Sequence, residues 1–164
     1  MREIEDLAEQ IGRQASDAGV TVGVAESLTG GLVVQALASA GGASQWLRGG
    51  VVSYSATVKH ELLQVDVDSV VSEQAALAMA AGARKVLDAD VTVALTGVGG
   101  PDEQDGEPPG TVWIATDDGA HPRANLHHFD GTPTEICEQA RFAALAALRD
   151  RFTDERQGVE RVGG

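Results

Sequence analysis

Lysine is nearly missing from this chain of 164 residues: only Lys59 and Lys85 occur, against ten arginines. Arginine serves wherever a fixed positive charge is wanted, but its guanidinium does not give up its proton. A lysine kept in such a chain points to proton chemistry. Lys59 is the candidate, five residues after Tyr54 in Tyr54-Ser55-Ala56-Thr57-Val58-Lys59. The plain alternative is a solvated helix residue. Cysteine is scarcer still. Cys137 stands alone, which excludes an internal disulfide and a zinc site built from cysteines. Aromatics are only 4% of the chain, so Val, Ala and Leu must fill the core. No run of apolar residues reaches the length of a membrane span, and Met1 to Gln10 is charged rather than signal-like. A soluble, cytoplasmic protein is expected.

Negative charge is plentiful. Twenty-five acidic residues give a formal net charge of -13, a surface that repels phosphate backbones and argues against nucleic-acid partners. Abundant carboxylates with scarce lysine also suggest a cytoplasm at very high salt. At about 1 M salt the screening length falls to about 3 Å, so repulsion among carboxylates is muted. The thermal midpoint is therefore expected to rise with KCl; a midpoint that stays level would remove the halophilic reading.

Apolar spacing predicts a helix over Arg2 to Asp17, from Ile4, Leu7, Ala8, Ile11 and Ala15. Thr21 to Ala25 reads as a buried strand and Thr29 to Ser39 as a helix, with Gly41-Gly42 breaking the chain. Gly49 to Ser53 reads as a second strand. Ser55 to Leu63 reads as a short helix with Val58, Leu62 and Leu63 on its apolar face. Ser72 is the expected N-cap of a helix to Leu87. Asp90 to Leu95 is the clearest strand. Gly97 to Gly110 is a loop, and Thr111 to Thr116 and Arg123 to Phe129 form a hairpin around Asp118. Pro133 opens a last helix to about Phe152, with Ile136, Ala140, Ala143 and Ala147 inward, widened by Phe142, Leu145 and Leu148. The interleaving predicts an α/β fold: a three-layer α/β/α sandwich around a mixed, mostly parallel sheet. One domain is expected over 1–152, with 153–164 as a polar tail that frays.

Two turns stand where chemistry is expected. Ser27 lies where the first strand gives way to a helix through Thr29-Gly30-Gly31, and ligands of open α/β sheets sit beyond the carboxyl ends of strands. Free amides at such a helix start can hold a phosphate or an oxyanion. The alternative is that Ser27 only caps the helix. Thr96-Gly97-Val98-Gly99-Gly100-Pro101 follows another core strand in the same way, or is simply a surface loop. Two such turns make a shared cleft more plausible than either alone. Four histidines, His60, His121, His127 and His128, show no metal-ligand spacing, and no metal or cofactor is expected.

The segments together resemble the C-terminal domain of the competence-damage-inducible protein CinA, a family whose stand-alone relatives include nicotinamide-nucleotide amidases. The matching stretches are Ala25 to Gly31, Gly49 to Ser55 with Val58-Lys59, Val71-Ser72-Glu73, Thr96 to Pro101, Pro109 to Val112 and Phe129 to Gly131. The other domain that precedes this one in full-length members is not expected here. The resemblance implies a dimeric α/β/α protein. It also implies metal-free hydrolysis of nicotinamide mononucleotide to nicotinate mononucleotide and ammonia. The family's nucleophilic serine maps onto Ser27, and its tyrosine and lysine onto Tyr54 and Lys59. A lysine can serve as base to a serine if burial and nearby positive charge lower its pKa from about 10.4. Substrate contacts are expected from Thr29, Gly30 and Gly31, from Thr96, Gly97 and Gly100, and from Arg141. Arg141 enters because the chain departs from the family: Cys137 and Glu138 fall where arginines are common, and those arginines would suit a substrate phosphate. Arg48 is a further candidate cation. Two other readings remain open: an amidase acting on another small amide, and a catalytically silent nucleotide-binding module.

Overall fold

The computed structural model describes residues 2–162, and side chains within the last helix as far as Asp154. Eleven elements alternate along it. They are α1 (Arg2–Ala18), β1 (Val22–Glu26), α2 (Leu32–Ala38), α3 (Ala43–Trp46), β2 (Leu47–Val52) and α4 (Ala56–Leu63). Then follow α5 (Glu73–Leu87), β3 (Val91–Gly97), β4 (Thr111–Asp117), β5 (Arg123–His128) and α6 (Pro133–Val162). The five strands form one sheet in the order β2-β1-β3-β4-β5. The β1–β2 and β1–β3 pairs are parallel, and the β3–β4 and β4–β5 pairs are antiparallel. The sheet is thus mixed as expected: two pairs are parallel and two antiparallel, with β4 alone running against the other four strands. Its cause is the loop after Gly97, which turns the chain straight back along β3 with no crossover helix.

The pleat sorts two cores. Val22, Val24, Val93, Leu95, Val112 and Ile114 pack with α1, α2 and α6 on one side. The alternate positions Ala25, Ala94 and Ala115 pack against Ala75, Ala76, Met79, Ala80 and Ala83 of α5 on the other. Small residues on both surfaces let α5 approach the sheet closely. Ser72 caps α5 as expected, its hydroxyl accepting from the Ala75 amide at 3.1 Å. Arg151 of α6 is buried and reaches over to Asp118 at 2.9 Å, which ties the β4–β5 turn to the last helix.

One contact fixes the helix that carries Lys59. A Cβ at Gly82 of α5 would stand 2.2 Å from the Leu63 carbonyl oxygen at the end of α4. Only a glycine lets those two backbones touch. Gly82→Ala should push α4 away and cost about 1–3 kcal/mol, as overpacking does. Chemical denaturation checks this, and an unchanged midpoint would mean that α4 is held by other contacts.

Several boundaries and faces differ from expectation. A short helix, α3, follows Gly42 and seats the buried Trp46. In α4 the buried residues are Lys59 and Leu63, whereas Val58 and Leu62 are 38% and 45% exposed. In α6 the buried stripe is Ile136, Ala140, Ala144, Leu145, Leu148 and Phe152; Ala143 and Ala147 are only half-buried, and Phe142 is exposed. The helix also continues beyond Phe152 to Val162, through a stretch with no proline to stop it. The end of the expected tail, 163–164, lies outside the described residues. Among the described residues no helix is long and apolar enough to cross a membrane.

Candidate active site

Parallel pairing brings the ends of β1 and β2 together. Glu26 is paired with Val52, and the Ser53 amide donates to the Glu26 carbonyl at 2.8 Å. Ser27 and Tyr54 therefore leave the sheet side by side. On the other flank of β1, β3 ends at Gly97. The result is one cleft of about 270 Å³, walled by Ser27, Leu28, Tyr54 and the loop from Gly97 to Gln104. Ser27 and Leu28 of the first turn share this cleft with the second glycine-rich loop at the strands' carboxyl ends, whereas Thr29, Gly30 and Gly31 are not in its wall. Gly97 and Gly100 are in its wall. A Cβ on Gly97 would stand 2.5 Å from the Thr111 carbonyl oxygen, so the end of β3 can pass β4 only as glycine.

The helix start beside Ser27 is already filled. Glu26 is fully buried, and its carboxylate accepts from the Thr29 hydroxyl at 2.7 Å. It also accepts from the amides of Gly31, Val33 and Val34 at 3.2, 2.9 and 3.0 Å. These are the orphan donors of the first turn of α2, whose N-cap, Gly31, offers no side-chain acceptor. The Gly30 amide donates to the Ser27 carbonyl at 3.1 Å. Thr29, Gly30 and Gly31 therefore build the turn that presents Ser27; the Thr29 hydroxyl and the Gly30 and Gly31 amides are already bonded within it. Glu26 was not among the expected site residues. Its signal is an acid at the end of an apolar strand, just before a helix with no capping side chain of its own.

Lys59 is not a solvated helix residue. Ser55 caps α4 by accepting from the Val58 amide at 3.1 Å, which sets the helix phase. Lys59 then turns inward and is 2% exposed. Burial pushes its pKa below the ordinary lysine value, and the Asp105 carboxylate partly opposes that by raising it. The expected neighbouring positive charge is not the cause; desolvation alone does the lowering. Asp105 is itself fixed by the Val70 amide, which donates to it at 3.2 Å. It adjoins Gln104 in the cleft wall, so the loop that closes the cleft also sets the field at Lys59. Lys59 itself does not line the cleft. Tyr54 does, at the rim, with 75% of its surface exposed.

Other expected contacts fall elsewhere. Thr96 is buried, and its hydroxyl donates to the Val70 carbonyl at 2.5 Å, so it ties β3 to the segment before α5. Arg141 pairs with Glu138 and borders a separate depression with Glu3, Ile4 and Phe129. It is not in the Ser27 cleft, because α6 turns it away toward α1. Arg48 donates to the Leu87 carbonyl at 2.9 Å, near the start of β2 and thus at the opposite end of the strand from Ser53. Cys137, by contrast, touches the site. Its thiol donates to the carbonyl of Leu28 at 3.3 Å, and burial followed by the nearby Glu138 pushes its pKa up. The position facing the cleft wall from α6 is thus neutral.

Comparison with known proteins places this architecture. The model of the CinA C-terminal domain matches residues 4–152. The chain belongs to the CinA C-terminal domain family. A putative competence-damage inducible protein of Levilactobacillus brevis is 40% identical over 149 residues, 87% of this chain and 36% of that protein. A CinA-like protein of Syntrophotalea carbinolica is 37% identical over 151 residues, 88% of this chain and 37% of its own length. This CinA domain therefore spans about a third of the length of the curated relatives it matches. Among solved structures, a CinA superfamily protein from Klebsiella pneumoniae superposes with a TM-score of 0.87 at 30% identity, covering 92% of this chain and 98% of that one. The competence/damage inducible protein CihA from Agrobacterium tumefaciens gives 0.84 at 34% identity, over 89% and 93%.

Proposed function

We propose that this CinA-family domain is a metal-independent serine amidohydrolase acting on the carboxamide of a nicotinamide nucleotide, with Ser27 as nucleophile and Lys59 as base. The observation that carries the reading is Lys59: a lysine buried to 2% exposure, with its pKa lowered by desolvation, in a chain that otherwise uses arginine. Substrate identity comes from the family resemblance, in which nicotinamide mononucleotide is deamidated.

Neutral Lys59 takes the proton of the Ser27 hydroxyl as the oxygen attacks the carboxamide carbon. The tetrahedral intermediate collapses, Lys59 returns that proton to the departing nitrogen, and ammonia leaves an ester on Ser27. Water, deprotonated by Lys59, then hydrolyses the ester and restores the serine. The amides of Gly99 and Gly100 are the best candidates for the oxyanion, since those of Gly30, Gly31 and Val98 already have acceptors. Tyr54 at the rim would orient the lysine or relay its proton once substrate covers the cleft.

A serine-directed acylating reagent separates an enzyme from a silent binding module. The expected result is a single adduct at Ser27 by peptide mass mapping, much slower in Lys59→Arg. Labelling spread over surface hydroxyls, with Ser27 no faster than the rest, would favour the silent module.

A further inference from the structure

We propose that the cleft is built for the dephosphorylated, cationic nucleoside, nicotinamide riboside, in preference to the phosphorylated nucleotide. The proposal rests on the amidase reading above and deepens it by naming the substrate class. The charged side chains in the cleft wall are Asp102 and Glu103, both exposed; no arginine, lysine or histidine of the described residues lines it. A phosphate monoester carries close to two negative charges at neutral pH and needs charge-assisted donors when it leaves water. This wall offers two carboxylates instead.

The surrounding cations do not make up the lack. Lys59 is buried and opposed by Asp105. Arg141 is held by Glu138 in a different depression, and Arg48 is bound to the Leu87 carbonyl. The α6 position that touches the cleft wall is Cys137, a neutral thiol. The helix start that could have received an anion holds Glu26.

What the wall does suit is a positive ring. The pyridinium of a nicotinamide nucleoside carries one positive charge. Asp102 and Glu103 attract it, and the exposed face of Tyr54 at the rim can stack on it. Adding the 5′-phosphate reverses the net charge of the ligand and sets it against the same carboxylates. In strong salt long-range repulsion is screened, but the missing cationic donors for the phosphate are a contact loss that salt does not restore.

The test is ammonia release by the full chain from nicotinamide riboside and from nicotinamide mononucleotide, in KCl at which the protein is folded. The riboside is expected to have a kcat/KM higher by about tenfold or more, the factor that one or two lost charge-assisted hydrogen bonds represent. The double variant Asp102→Asn, Glu103→Gln should narrow that ratio, chiefly by raising KM for the riboside. A mononucleotide used as well as the riboside or better would overturn the inference while leaving the Ser27 amidase reading standing. An unchanged ratio in the double variant would remove the two carboxylates from the explanation. Ammonia from neither compound would overturn the amidase reading and this inference with it.

Discussion

Lys59→Arg is expected to yield a folded protein with amide turnover lowered by about 10²–10⁴-fold, the contribution of a positioned general base. The variant keeps the positive charge and most of the stem. It loses the neutral form, because guanidinium holds its proton across the whole working range. The loss should fall on kcat more than on KM, since Lys59 does not line the cleft. The pH profile of the parent carries the same information. With its pKa lowered by burial, Lys59 reaches the neutral form at a pH below that of an ordinary lysine, so kcat/KM should rise with pH earlier than an exposed lysine would allow.

The stability consequence has a definite sign. The folded pKa of Lys59 lies below its unfolded value, so the unfolded chain binds this proton more readily. Burial of the ammonium therefore costs stability, fully so below the folded pKa, and the cost is relieved as pH rises toward the unfolded value near 10.4. Lys59→Met should accordingly be inactive yet more stable near neutrality by about 1 kcal/mol, the usual gain when a functional strain is removed. Its advantage should shrink as pH approaches 10. A Met variant less stable than the parent at pH 7 would mean that the ammonium is well solvated in the fold.

Glu26→Ala is expected to be the most damaging single change to the scaffold, costing about 3–5 kcal/mol, since each buried donor left without an acceptor costs about 1–3 kcal/mol. The carboxylate has no solvent exposure and takes four donors from one turn of chain. Its removal strands the Gly31, Val33 and Val34 amides and the Thr29 hydroxyl at once. Glu26→Gln keeps the shape but turns one acceptor into a donor facing donors, and should cost about 1–2 kcal/mol. Both losses should be nearly independent of KCl, because the site is sealed from ions. Activity should fall with them, since Ser27 is the next residue and its turn is tied to Glu26. Unfolding midpoints in denaturant measure the cost; a loss under about 0.5 kcal/mol, ordinary for a surface change, would mean that α2 is capped by other groups.

Rarity singles out Lys59, which the fold buries, and the succession of strand, glycine turn and helix marks Ser27, which the fold sets in the cleft wall. The faces of α4 were misread for the same reason that Lys59 is interesting. A polar label sends lysine outward, and eight residues are too few for apolar spacing to correct the phase. Glu26 was lost among 25 acidic residues, most of them on the surface; only its place at the end of an apolar strand marks it. The alanine-rich α6 gives little contrast between faces, so Ala144 was missed and Ala143 and Ala147 overvalued. Arg141 lies outside the Ser27 cleft because one helical turn beyond Cys137 faces a different neighbour, and spacing along a helix does not say what packs against it.

The most direct measurement is ammonia release by the purified chain in molar KCl from nicotinamide mononucleotide and from nicotinamide riboside, beside Ser27→Ala. Steady release from at least one of the two is expected from the parent, and none above background from the variant. A folded parent that releases nothing from either, or a Ser27→Ala variant as active as the parent, would contradict it.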